Sequence, residues 1–569
     1  MAQESSLVIR GGMVVDGSGA GPVRADVAIR GDRIVAVGGD IARGDREIDA
    51  DGHLVIPGLV DPHTHYDAQL TWANCGTPST MNGVTTLMMG NCGVGFAPCA
   101  KADRHALMYL MEGVEDIPLH VMEQGIPWQW TSFPQFMDFL GGRQYDADIC
   151  TQVPHSAVRV FVMGERALER GPSSDDERAQ MRDIVAQAVR AGAMGFSTSR
   201  SGSHRTPDGR HIPSYGAAEG ELAAAADGLR EADGGWLQLI TDFDDADAEF
   251  AMLRRLTQRA GRPMTISMLQ KDAKPELWRY LMGEIAKANA EGLQITGQVS
   301  TRATGVLMGF ELSENPFYGR AGWKEIAALP FERQLQFLRD PAFRQRLCGE
   351  ATDAEFVTRH NTWTRLFPLG HPVNYEPQPH DSVAARAARE GRTPDEVAYD
   401  LMMQDGGRGL LYRPMSNYSY GNLDAVRDML THPNSLVGLG DGGAHVGHLC
   451  DSSVMTYMLT HWARDRALGE LFPIGWAVKR LTRDNALGMG LRDRGLIAPG
   501  MKADINVIDH ARMQLGSPHM LYDLPGGGKR LVQSCEGILT TLVSGVPVHW
   551  SGQATGDLPG RLVRGAMAA

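Results

Sequence analysis

Between residues 53 and 445 the chain alternates short apolar runs with longer stretches of helical periodicity, and this alternation constrains the fold more than any other feature. Eight runs read as strands: "HLVIPGLVDPHTH", "VTTLMMGNCG", "AVRVFVMG", "AMGFSTS", "WLQLITDF", "PMTISML", "LQITGQVS" and "LVGLGDGGAH". Between them, segments such as "DDERAQMRDIVAQAVRAG" repeat apolar positions at helical spacing. Strands alternating with helices predict βα units around a parallel sheet, and eight such units predict a closed barrel. Barrels of this kind gather their chemistry at the C-terminal ends of the strands. His63, Cys92, Asp242 and Asp441 each end an apolar run there.

The two ends of the chain have another texture. Residues 1–57 ("LVIRGGMVVDGSG", "ADVAIRGDRIVAVGG") and 491–569 ("GLIAPGMKADINVID", "GILTTLVSGVPVHW") are short alternating runs cut by glycine turns. They predict one β domain built from both termini, which often lie close together in space. The barrel then occupies residues 58–490. Residues 310–400, rich in aromatics and prolines, read as an insertion of the kind that forms a lid or substrate wall.

Charge narrows the function. Lys plus Arg number 55 against 68 Asp plus Glu, a net charge of −13, with no long basic run, which argues against nucleic acid and anionic membrane as partners. The N-terminal "MAQESSLVIRGGMVV" has no basic stretch leading into an apolar core, and no window approaches a spanning length, so a cytoplasmic protein is expected. The seven cysteines, an odd number without paired spacing, predict reduced core residues rather than a disulfide framework. A small molecule is the expected partner, and a homo-oligomer is compatible with the sequence.

The sharpest local feature is "GLVDPHTHYD". On an extended run His63 and His65 point to one side and can share a ligand. The flanking Asp61 and Asp67 favour a metal, since ligating histidines usually donate their second ring nitrogen to an oxygen acceptor; the plain alternative is a pair of polar residues at a turn. Cys92, among glycines at the second strand end, is a further ligand candidate, or a packing cysteine. Asp441, framed by Gly440, Gly442 and Gly443, suits a metal-binding carboxylate that also takes a proton from water, or a turn aspartate. His445 and His448 follow it as outer supports. Arg200, His204 and Arg205 after the fourth strand, and Arg302 after the seventh, are candidates for holding a substrate carboxylate.

Taken together, "GGMVVDGSG", "HLVIPGLVDPHTHYD", "GVTTLMMGNCGVGFAPC", "AVRVFVMG" with His155 before it, "AGAMGFSTS", "GLGDGGAHVG" and "DRGLIAPGMKADINVID" resemble the amidohydrolase superfamily, and within it the N-acyl-D-amino-acid deacylase (D-aminoacylase) family. The resemblance implies a distorted (β/α)8 TIM barrel beside a composite β-sandwich domain formed by both chain ends. It also implies hydrolysis of an N-acyl-D-amino acid at a zinc centre. Carried over by motif, His63, His65, Cys92 and Asp441 match the metal site, Asp441 being the catalytic acid and base, and His155 joins the substrate candidates. The family's histidines at the fifth and sixth strand ends are replaced here by Asp242 and Met268, and the "YPY" after the seventh strand by "TGQVSTRATG". One Zn2+ on His63, His65 and Asp441, completed by Cys92, Asp242 or water, is therefore expected, with the second metal position in question. Hydrolysis of a cyclic amide or lactone on the same site, and a metal-poor barrel that only binds a small ligand, are the competing readings.

Overall fold

A computed structural model of the chain describes residues 6–351 and 363–565. Residues 352–362, part of the expected insertion, lie outside the described residues.

Among the described residues, the barrel strands are β1 (Leu59–Asp61), β2 (Val84–Met89), β3 (Asp148–Thr151, resuming at Val153–Pro154), β4 (Gly195–Arg200), β5 (Trp236–Thr241), β6 (Met264–Met268), β7 (Ile295–Val299) and β8 (Ser435–Val437). Each is parallel to its sequence neighbour from β1 through β7, and β7 pairs with β8. Every residue of β2 is buried, as expected for a parallel strand covered on both faces. β1 and β8 meet without a backbone ladder. Asn485 closes this seam, its amide donating to Val60 O at 2.8 Å and Val437 O at 2.7 Å.

Most of the expected strands form. The exception is "AVRVFVMG", which lies in helix α2 (His155–Met163). A short apolar run has no periodicity long enough to separate strand from helix, and here Pro154 stands at the helix entry. The true third strand, "DICT", escapes a hydropathy reading because it carries Asp148. That carboxylate is buried against Arg494 Nη1 at 2.7 Å and Lys502 Nζ at 3.1 Å. The helical pattern after it is realised: α3 (Asp175–Arg190) begins with a reciprocal Ser174–Glu177 capping box and buries Met181, Val185 and Val189.

Strands from both ends of the chain share one nine-stranded sheet. Leu54–Pro57 lies at its middle, parallel to Leu7–Val14 and antiparallel to Ile505–Ile508. After Gly58 the same run becomes β1, so the sheet feeds directly into the strand that precedes the two histidines. Gly58 is required there, since a Cβ on it would lie 2.2 Å from Thr85 Oγ1. The fold is thus a distorted (β/α)8 barrel joined to a β-sandwich domain assembled from both chain ends.

The segment after β7 carries its own apolar cluster, in which Phe310 stacks on Phe317 and meets Tyr399 edge-on. It touches the loop after β8 through Ser313, whose N–H donates to Gly447 O at 3.0 Å. None of the helices among the described residues is long and apolar enough to cross a membrane.

Candidate metal centre

β1 ends at Asp61, and the chain then turns so that His63 and His65 enter the barrel mouth, both buried. Two backbone bonds fix them against the opposite side of the seam. Asp441 N–H donates to His63 O at 3.0 Å, and His65 N–H donates to Gly442 O at 2.8 Å. Asp441 is held in the left-handed region at φ 44°, a conformation non-glycine residues seldom adopt and one that clusters at functional sites. The glycines around it are demanded by space: a Cβ on Gly440 would lie 2.0 Å from Asp61 Oδ2, and one on Gly442 2.2 Å from Ser79 Oγ.

The side chains converge on one point. Asp441 Oδ1 lies 3.4 Å from His63 Nε2 and 3.5 Å from His65 Nε2. Cys92 Sγ stands 3.3 Å from His63 Nε2, and Cys92 is itself in the left-handed region at φ 55°. The donor atoms of His63, His65 and Cys92 lie within 4.8 Å of one another. On the far side of His63, Nδ1 meets Gln298 Oε1 at 2.6 Å. An amide oxygen only accepts, so Nδ1 carries the hydrogen and Nε2 presents its lone pair to the centre.

Four carboxylates surround this pair of imidazoles: Asp61, Asp67 and Glu115, all nearly inaccessible, and Asp441. Burial pushes the Asp61 carboxyl up to about 8, Glu115 to about 7 and Asp67 to about 6. Asp441 moves the other way: burial opposes its charge, but contact with His65 and the nearby His63 hold it below the usual carboxylate range. Burial keeps His63 neutral, its pKa pushed down to about 4, which is the form that binds metals. Asp61 Oδ2, His65 Nδ1 and Glu115 Oε2 are buried without a hydrogen-bond partner. Two imidazoles, a thiol and a carboxylate, set among buried acids and orphaned polar atoms, fit a divalent cation such as zinc.

The remaining expected residues divide. Asp242 does not join the cluster: it pairs with Lys271 Nζ at 2.6 Å and accepts from Ser201 Oγ and Gly202 N–H, so both of its oxygens are already engaged. Arg200 is bound to Glu249 and to Ala217 O rather than offered to a ligand. Arg302 is fully buried, stacked 3.6 Å over Tyr375 and paired with Asp451, bracing the chain after β8. His155 is spent on Thr198 Oγ1 and Glu221 Oε1, each at 2.8 Å. Arg205 ties its own loop through Gly202 O and Gly209 O. His204 alone of this group lies within electrostatic reach of His63, His65 and Asp441. It is pushed down to about 4 by burial and then by the charge of His65, and its Nδ1 has no partner.

Glu115 and Gln298 are absent from the expected set. Gln298 left a faint trace, a polar residue inside the apolar run "LQITGQVS", whereas Glu115 ends the amphipathic helix α1 (Arg104–Glu115) and carries no local signal.

A buried histidine, cysteine and aspartate centre at the C-terminal mouth of such a barrel defines a hydrolytic metalloprotein class. The chain belongs to the amidohydrolase family, whose sequence profile matches residues 46–549. It is 28% identical to a D-aminoacylase of Alcaligenes xylosoxydans xylosoxydans over 99% of this chain and 98% of that protein. A solved D-aminoacylase described by its binuclear metal centre superposes with a TM-score of 0.66 at 22% identity, covering 98% of this chain and all of that one, 100%. An N-acyl-D-glutamate deacylase of Bordetella bronchiseptica, solved with zinc and a phosphonate mimic of the tetrahedral intermediate, gives a TM-score of 0.63 at 21% identity, covering 99% of this chain and 100% of that chain.

Proposed function

We propose that this protein is a metal-dependent amidohydrolase that cleaves the amide bond of an N-acyl-D-amino acid, releasing a carboxylate and a D-amino acid. The observation that carries the reading is the convergence of His63 Nε2, His65 Nε2 and Asp441 Oδ1 on one buried point. The full-length similarity to a D-aminoacylase supports the substrate class.

His63, His65 and Asp441, with Cys92 beside them, would hold one zinc ion. When bound, such an ion polarises the amide carbonyl and lowers the pKa of water. The residues of the chain do the rest. Asp441, held ionised chiefly by its contact with His65, accepts the proton of the attacking water and returns it to the leaving nitrogen, without which the amine is a poor leaving group. Gln298 fixes the His63 ring so that its free nitrogen stays inward. His204, whose Nδ1 has no partner among the described residues, would hydrogen-bond the substrate. A single ion is favoured because Asp242 is engaged by Lys271, and Met268, at the end of β6, is packed in the apolar core.

The test is hydrolysis of paired N-acetyl D- and L-amino acids, beside cyclic amides, by zinc-loaded and chelator-treated protein. Turnover confined to D-substrates and abolished by the chelator is expected. Turnover of cyclic amides alone, or full activity after metal removal, overturns the proposal.

A further inference from the structure

The geometry points to Glu115 as the positioning residue of the metal centre, acting through His65. This inference rests on the metal reading proposed above and concerns how the chain compensates for a reduced ligand set.

The Glu115 carboxylate is almost fully buried, at 1% exposure, and a carboxylate seldom persists there without compensating partners. Among the described residues its ion pairs are two imidazoles: Oε1 lies 3.3 Å from His65 Nδ1, and Oε2 lies 3.5 Å from His445 Nε2. No arginine or lysine shares in those pairs. Among the described residues His65 Nδ1 makes no geometrically formed hydrogen bond, and neither does Glu115 Oε2. The arrangement is therefore one carboxylate set between two histidines, with one face toward His65 and the other toward the loop after β8.

The backbone holds Glu115 in that place. The carbonyl of Glu115 accepts the N–H of His445. The next residue, Asp116, turns the helix end at φ 54°, and its Oδ2 accepts from Gly447 N–H at 3.0 Å and meets His448 Nδ1 at 2.8 Å. The C-terminal end of α1 is thus clipped to the same loop that presents Asp441. A carboxylate at Nδ1 keeps the hydrogen on that nitrogen, so the proton given up on metal binding comes from Nε2, 3.5 Å from Asp441 Oδ1. Gln298 likewise keeps the hydrogen on His63 Nδ1. The two rings are consequently aimed inward by acceptors behind them, and one of those acceptors comes from a helix rather than from a barrel strand. Asp67, the neighbouring acid, is not the acceptor; its carboxylate takes Gly90 N–H at 3.0 Å.

The experiment measures zinc and cobalt affinity by equilibrium dialysis, and the visible spectrum of the cobalt-loaded protein, for wild type, Glu115→Gln, Glu115→Ala and His65→Ala, and for Glu115→Gln combined with His65→Ala. Removing an outer carboxylate of this kind lowers metal affinity about 10- to 100-fold, so Glu115→Gln is expected to fall in that range and to shift the cobalt spectrum while retaining wild-type thermal stability. In the His65→Ala background the same replacement is expected to change affinity less than about 2-fold, because residues that act through one another are not additive. Unchanged affinity in folded Glu115→Gln, or an equal loss with and without His65, overturns the inference while leaving the metal centre standing. Wild-type protein that takes up neither ion overturns both.

Discussion

His63 and Asp441 face each other at 3.4 Å across the seam where the first and last barrel strands meet. The same two residues are joined through the backbone, Asp441 N–H to His63 O. The seam itself has no strand ladder and is closed by one side chain, Asn485. Ligand geometry and barrel closure are therefore one structural problem, and the predictions below separate its parts.

Asp441→Asn preserves shape but cannot accept a proton. Turnover of an N-acetyl-D-amino acid should fall about 10²- to 10⁴-fold, the contribution of a general acid and base, with the circular dichroism spectrum unchanged. Near-normal kcat in this variant removes Asp441 from proton transfer.

Replacing His63 and His65 together by alanine should leave protein that purifies without stoichiometric zinc. Elemental analysis after dialysis decides this. Full occupancy would locate the metal elsewhere.

Asp242→Ala should retain the wild-type metal content, because that carboxylate is bound to Lys271 and the Ser201–Gly202 turn. A halved zinc-to-protein ratio would restore Asp242 as a ligand and revive a second metal position.

Asn485→Ala leaves the carbonyls of Val60 and Val437 buried without donors. The expected cost is about 2–4 kcal/mol, from two unpaired buried acceptors, read as a lower urea midpoint at constant m-value. Activity should fall as well, since Asp441 is carried by the strand that loosens.

Glu376 predicts a pH dependence of stability away from the centre. Its carboxylate is buried, which alone would raise its pKa, but bonds from His461 at 2.8 Å and Arg466 at 2.9 Å bring it down to about 2. The folded value lies below the ordinary 4.5, so the unfolded chain binds the proton more tightly. The stabilisation is complete above pH 4.5 and disappears as pH falls toward 2. It amounts to roughly 3 kcal/mol at neutral pH. Denaturation of wild type and Glu376→Gln across this range should give curves that converge at low pH; a constant difference contradicts the assignment.

Much of the barrel was legible because its strands are buried on both faces and so read as apolar runs, as in "VTTLMM" and "MTISM". The third strand failed that reading for a definite reason. Its buried Asp148 is neutralised by Arg494 and Lys502, residues some 350 positions further along, and no local pattern reports such a pairing. The cationic residues after the fourth and seventh strands misled for the mirror-image reason. Arg200 and Arg302 look free in the sequence, yet each is consumed by a carboxylate that only folding brings near.

The sequence by itself determined that two histidines follow directly on the first barrel strand and that glycines flank an aspartate near the eighth, because residue order and strand period are local properties, whereas the lack of room for a Cβ at Gly440 and Gly442 is set by Asp61 and Ser79. The sequence also determined the family and the barrel. Tertiary structure alone decided which of the many polar residues meet: that Glu115 stands behind His65, that Gln298 stands behind His63, and that Lys271 takes Asp242 away from the centre. Those choices depend on how far apart closed-barrel geometry sets residues that the chain separates by tens to hundreds of positions, and distance in space is not written in neighbouring residues.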